Sequence, residues 1–127
     1  MGSKKIIIIL AVAVVILPGI WFATRRSSEN HSQKITGEAT IIMKSGTFEP
    51  ADITIKKGTK VTFKNEDTIP RWPASNLHPT HTIYPEFDPK QPVAVGSDWS
   101  FVFDKVGSWK YHDHWSPALR GVINVEN

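Results

Sequence analysis

The 127-residue chain contains no cysteine. That absence excludes disulfides, iron–sulfur clusters, zinc ribbons, thiol catalysis and any metal site built on a thiolate. It leaves the compartment open, because an exported domain with an adequate core needs no disulfide. An excess of one charge is also missing from most of the chain. The formal charge is +3, but Lys4, Lys5, Arg25 and Arg26 flank a single hydrophobic run, and without these four, 11 basic residues face 12 acidic ones. A near-neutral domain has no electrostatic footprint for nucleic acid, so that class of partner is excluded. After Ala23 no stretch carries a helical apolar stripe, and there is no internal repeat. Roughly 90 residues remain there to fold, which suffices for one domain with a compact core.

The hydrophobic run is Ile6–Ala23, which carries no charge. At 1.5 Å per residue a helix of that length reaches about 27 Å, enough for a thin bilayer core. Trp21 and Phe22 fall where an interfacial aromatic belt belongs. The following Ala23-Thr24-Arg25-Arg26 lacks the small-residue pattern of a cleavage site. The segment 1–24 is therefore read as an uncleaved transmembrane signal-anchor. The N-terminal amine added to Lys4 and Lys5 places the N-terminus inside and the domain on the extracytoplasmic side, as a single-pass membrane protein. Segment 25–36 (RRSSENHSQKIT) is polar and aperiodic. It reads as a flexible linker, with His31 a solvated linker residue.

From 37 to 127 the pattern has period two. Ala39–Met43, Asp52–Lys56, Lys60–Lys64, Trp99–Phe103, Ser108–Tyr111 and Val122–Val125 alternate or are β-prone. Gly46, Pro50, Gly58, Gly96, Gly107 and Gly121 read as the turn residues between them. Short alternating strands at this spacing predict an all-β sandwich or barrel. Ile69–Pro92 breaks the rhythm with six prolines at 70, 73, 79, 85, 89 and 92. Proline removes ladder donors, so this segment reads mostly as ordered loop, and loops of that length are often functional.

Two segments carry a resemblance. Phe48, Pro50, Ile53, Ile55, Gly58, Val61, Phe63, Asn65 and Asp67 spell F-x-P-x-x-I-x-I-x-x-G-x-x-V-x-F-x-N-x-D. The tail runs Tyr111-His112-Asp113-His114-Trp115-Ser116-Pro117-Ala118-Leu119-Arg120-Gly121 and then Val122–Val125. Over Glu38–Glu126 the chain resembles the cupredoxins, small copper-binding Greek-key β-sandwiches of the plastocyanin and amicyanin kind. In the register of their Y-x-C-x-x-H-x-x-M-x-G tail, the cysteine position is Asp113, the histidine position Ser116 and the methionine position Leu119. Arg71 follows Pro70 where the resemblance implies the first histidine ligand. All four ligand positions are altered. A blue-copper site needs its thiolate, so the resemblance implies the fold without that electron-transfer centre. Arg71 and Asp113 would then face each other as an ion pair at the lost site.

Four histidines form two clusters, His78-Pro79-Thr80-His81 and His112-Asp113-His114. In an extended strand, residues i and i+2 point to one face. His112 and His114 can therefore grip one ion while Asp113 points the other way. Imidazole suits Cu(II), Zn(II) and Ni(II). On a fold whose relatives bind copper, His78, His81, His112 and His114 read as a copper site, with zinc as the alternative and Glu86 or Asp88 as additional ligand candidates. Such a site lies on the outer face of its sheet and needs the Trp72–Asp88 segment to fold over it. Glu66 and Asp67 read as turn residues. Trp72, Trp99, Trp109 and Trp115 read as core or loop anchors, with Trp72 and Trp115 able to shield a metal. The function expected is a non-enzymatic, membrane-anchored metal-binding module for copper handling, with a protein partner for copper transfer. Two alternatives stand beside it: a metal-free structural or protein-interaction sandwich, and a mononuclear copper or zinc enzyme with an open coordination position.

Overall fold

The computed structural model describes residues 34–127. The expected membrane anchor and most of the expected linker, His31 included, lie outside the described residues. Among the described residues no helix is long and apolar enough to cross a membrane.

Eight strands form two sheets. They are β1 (Glu38–Lys44), β2 (Thr47–Glu49), β3 (Asp52–Lys56), β4 (Thr59–Asn65), β5 (Pro73–Ser75), β6 (Asp98–Phe103), β7 (Gly107–Asp113) and β8 (Arg120–Glu126). One sheet has the order β2-β1-β4-β6 and the other β3-β8-β7-β5. β1 runs parallel to β4 and β3 parallel to β8, while the remaining neighbours are antiparallel. Ile35, inside the segment read as linker, is already hydrogen-bonded to β3: its N–H donates to the Thr54 carbonyl at 3.1 Å and its carbonyl accepts from Lys56 at 2.9 Å.

The alternation read from the sequence is the alternation of burial. Ile41 and Met43 of β1, Ile53 and Ile55 of β3, Val61 and Phe63 of β4, Tyr111 of β7, and Ile123 and Val125 of β8 share one core between the sheets. Period-two strands can bury one face only, so the inward set is apolar and the outward set polar. Trp99 and Trp109 pack against that core. Gly121 corrects one expectation. It lies inside β8 and is no turn residue. A Cβ there would stand 2.3 Å from the Ala51 carbonyl oxygen and 2.5 Å from the Tyr111 ring, so only glycine lets the Tyr111 side chain cross β8.

The proline-rich segment is mostly loop but contains β5, a three-residue strand at the edge of its sheet. Edge strands tolerate proline because one side of the ladder is open. The segment that follows closes back on β5. Ser75 N–H donates to the Phe87 carbonyl at 2.9 Å, and the single Ser75 hydroxyl proton is shared between the carbonyls of His81 and Tyr84, each 2.9 Å from Oγ. Tyr84 and Phe87 enter the core, where the Phe87 ring lies 4.9 Å from Phe103 and 5.6 Å from Tyr111. The loop is thus anchored by its aromatic residues and hangs its histidines beside β7.

Candidate metal centre

Cross-strand register explains where each polar side chain points. Pro73 pairs with Asp113, Ala74 with His112 and Ser75 with Tyr111. Side chains directly opposite share a face. Asp113 therefore faces inward with Tyr111, while His112 and His114 face outward beside Ala74 and Trp72. Ala74, the cross-strand partner of His112, is fully buried.

The inward side holds the vacated ligand positions. Arg71 and Asp113 face each other, Nη1 to Oδ2 at 3.2 Å. The guanidinium also donates through Nε and Nη2 to Asp67 Oδ2 at 3.0 and 2.8 Å, and through Nη1 to the Ser116 hydroxyl at 3.4 Å. Asp113 Oδ1 accepts from the backbone of Trp115 at 2.8 Å and of Ser116 at 3.2 Å. Arg71 is 6% exposed and Asp113 0%. Backbone donors from Gly46 and Thr68, then Arg71, hold the Asp67 carboxyl down at about 2 against the cost of burial. Burial works against the Arg71 charge, but Asp67 and Asp113 outweigh it and raise its pKa. Leu119, at the fourth altered position, donates its N–H to the Ser116 carbonyl at 2.8 Å and packs against the core. Three side chains at former ligand positions have thus become one closed hydrogen-bonded network. Asp67, read from sequence as a turn residue, is the second carboxylate of that network.

The outward side holds the histidines. One ring nitrogen from each of His78, His81, His112 and His114 lies within 4.8 Å of the others. His81 Nε2 stands 2.9 Å from His114 Nδ1, and His78 Nδ1 stands 3.3 Å from His112 Nε2. His81 adopts a left-handed backbone conformation (φ 54°), which costs roughly 1–2 kcal/mol outside glycine. Strain of this kind persists where the surroundings hold it, and functional sites are where it gathers.

The outer nitrogens are held by Asp88, which the sequence offers as a ligand, and by Asn76, which it does not mark. His81 Nδ1 is 2.7 Å from Asp88 Oδ2, and His112 Nδ1 is 2.8 Å from Asn76 Oδ1. Asp88 is fixed in turn by Trp72 Nε1 at 2.8 Å and by the backbone N–H of Lys90 at 2.8 Å. Burial opposes ionisation of Asp88, yet these hydrogen bonds, His81 first, keep its pKa well below the usual carboxylate range. An acceptor on Nδ1 keeps the proton there and leaves Nε2 with a free lone pair. Both His81 and His112 therefore aim lone pairs into the cluster. Burial, then the other three histidines, pushes the His112 imidazole down to about 4, and burial, then His81 and His78, lowers His114. A neutral imidazole is the form that binds a metal.

Two sequence-based ligand candidates take other roles. Asp88 binds the outer nitrogen of His81 and is not among the four donors. Glu86 is exposed, paired with Lys105 at 3.0 Å, and is not among the four converging donors. Trp72 does cover His114, ring to ring at 4.6 Å. Trp115 lies 6.3 Å from Trp72 and is 55% exposed. Nitrogens bound to one ion at about 2.0–2.1 Å stand no more than about 4.2 Å apart. The four donors fit a transition-metal ion after a contraction well under 1 Å, and their all-nitrogen chemistry suits copper.

A two-sheet all-β sandwich with a histidine cluster capping one sheet defines the class. The chain belongs to the cupredoxin-like domain family, whose model matches residues 10–125. Among solved structures, a purple cupredoxin from Nitrosopumilus maritimus is 27% identical with a TM-score of 0.61, over 69% of this chain and 99% of that one. A reduced tryptophan-to-tyrosine mutant of amicyanin is 21% identical with a TM-score of 0.62, over 71% of this chain and 83% of that one. A reduced proline-to-phenylalanine amicyanin mutant is 22% identical with a TM-score of 0.61, over the same shares. The amicyanin likeness is one of fold. No curated protein matches the chain significantly.

Proposed function

We propose that this chain is a copper-binding module that holds Cu(II) through His78, His81, His112 and His114 on the outer face of β5 and β7. The observation that carries the reading is the convergence of four ring nitrogens, one from each histidine, within 4.8 Å. The outer partners Asp88 and Asn76 support it, because ligating histidines commonly donate their second N–H to a carboxylate or carbonyl oxygen. His112 comes from β7, His114 from the bend directly after it and the other two donors from a loop anchored in the core, which presets the site before metal arrives. Copper bound there would be a nitrogen-ligated Cu(II) centre without thiolate, suited to capture, buffering or delivery. Zinc shares the ligand preference and is the competing ion.

The same reading places the module outside the cytoplasm on a single N-terminal anchor. Its support is the uncharged Ile6–Ala23 run with basic flanks. A protein partner for copper transfer belongs to this proposal, with Trp72 and Trp115 beside the site as the contact such a partner would find.

Calorimetric titration of a soluble Lys34–Asn127 fragment with copper and with zinc tests the metal reading. One-to-one copper binding that disappears in the double variant His112→Ala/His114→Ala is the expected result. Copper binding unchanged in that variant, or no binding to the folded fragment, refutes the site. Membrane fractionation of the full chain with protease accessibility tests the anchor: recovery in the soluble fraction refutes it.

A further inference from the structure

We propose that the cluster takes a small inorganic anion as an additional ligand, received in a cavity between the histidines and Arg120. This rests on the copper reading and adds the chemical class of what reaches the metal. The cavity, of about 200 Å³, is lined by Asn76, Leu77, His78, His112, Pro117 and Arg120. Two of its walls are therefore proposed ligands and a third is a guanidinium.

Register puts Arg120 there by construction. Arg120 is the direct cross-strand partner of His112 in the β7–β8 ladder. Opposite residues share a face with their Cβ atoms roughly 4.5–5.5 Å apart. Arg120 thus stands beside His112 on the outer surface, on the side away from Ala74. Its Nε donates to the Pro117 carbonyl at 2.9 Å, which orients the plane of the group. The two terminal nitrogens have no hydrogen-bond or ion-pair partner among the described residues. A guanidinium fixed by one nitrogen and free at two offers the forked donor pair that suits an oxyanion or a linear anion.

The charge balance points the same way. Imidazole ligands bring no charge to compensate a Cu(II) ion, and the neighbouring carboxylates are engaged elsewhere, Asp88 with the outer nitrogen of His81 and Asp113 with Arg71 on the inward side. Lys110, two residues from His112 on the same face, lines an adjoining cavity of about 260 Å³ that shares Asn76 and Arg120 with the first. Lys110 has no ion-pair partner among the described residues. Asp52 is the one carboxylate there. It lines only the second cavity and is separated from Lys110 by the Val122 position of β8. A metal dication flanked by a guanidinium and an ammonium in a partly enclosed depression draws anions. The volume admits an anion of a few heavy atoms with its water and excludes a nucleotide or a peptide chain. Cu(II) favours tetragonal coordination, so four imidazoles leave a position for such a ligand.

The test uses azide as probe on the copper-loaded fragment. Azide titration is followed by its charge-transfer absorption and by electron paramagnetic resonance. Two variants, Arg120→Gln and Lys60→Gln, are compared with the parent. Lys60 lies on β4 of the other sheet and controls for the loss of one positive charge. Copper affinity, measured by calorimetry before azide is added, is expected to stay within about threefold in both variants. Azide affinity is expected to fall about tenfold in Arg120→Gln, as for loss of one charge-assisted hydrogen bond, and to stay unchanged in Lys60→Gln. Copper binding with no azide-induced spectral change overturns the anion site and leaves the copper reading standing. Equal azide affinity in parent and Arg120→Gln also overturns it. Failure of the parent to bind copper overturns both.

Discussion

Arg71 carries more of the domain's integrity than a surface arginine could. It sits between Asp67 and Asp113 with almost no solvent access. Removing one member of a buried ionic set leaves its partners charged and dry, which costs about 3–5 kcal/mol. Arg71→Ala should therefore lower the unfolding free energy by that amount in urea titration at pH 7. Arg71→Lys should recover only part of it, because an ammonium cannot engage both carboxylates through a planar fork. A loss below about 1 kcal/mol would show that the network contributes nothing. Gly121 is the second position where one atom decides. Gly121→Ala drives a methyl into the Ala51 carbonyl and the Tyr111 ring. Overpacking of this kind costs about 1–3 kcal/mol, read as a lower thermal midpoint. These two residues show different degrees of legibility. The Arg71–Asp113 pairing followed from family register, since two substituted ligand positions must meet where the ligands met. Gly121 was misread as a turn, because glycine required by a neighbouring ring looks the same in sequence as glycine required by a turn.

Strands β1, β3, β4, β6, β7 and β8 were legible because period-two alternation over five or more residues is a direct record of which face is buried. β2 and β5 have three residues each, too few to alternate, and β5 starts on a proline. The i, i+2 spacing of His112 and His114 showed that they share a face. Whether that face was covered depended on the fold of the proline-rich loop, which has no period to read. Asn76 escapes notice, and Asp88 reads as a ligand instead of a support, because a single polar residue in a loop has no pattern of its own. The structure makes Phe87 the reason the loop is placed where it is. Its ring contacts Phe63, Phe101, Phe103 and Tyr111 while the same loop carries His78 and His81. Phe87→Ala should cost about 3–5 kcal/mol of stability. It should also weaken copper binding in the fraction that remains folded, because two of four ligands lose their anchor. Full copper affinity in a destabilised Phe87→Ala protein would show that His78 and His81 do not need the core contact.

For the whole molecule, the histidine cluster links folding, protons and metal. The folded state holds His112 at about 4 where the ordinary value is 6.5. Between those values the unfolded chain binds a proton that the native state refuses, so the metal-free protein loses stability as pH falls from about 6.5 to 4 and keeps it above 6.5. At about 1.36 kcal/mol per pH unit the loss is at most about 3 kcal/mol. Copper acts in the opposite sense. An ion that binds only the native state adds about 2.7 kcal/mol at a hundredfold excess over its dissociation constant. That gain must shrink on acidification, because protons and metal compete for the same lone pairs. Thermal midpoints measured from pH 7.5 to 4 with and without copper should therefore fall along both curves and converge at the acid end. In His112→Ala the metal-free curve should flatten in part over the same range, since His114 is then the one lowered histidine left, and copper should no longer raise the midpoint. A His112→Ala protein with the parent's pH slope would place the titration elsewhere in the domain. Retained copper stabilisation in that variant would place the metal elsewhere too.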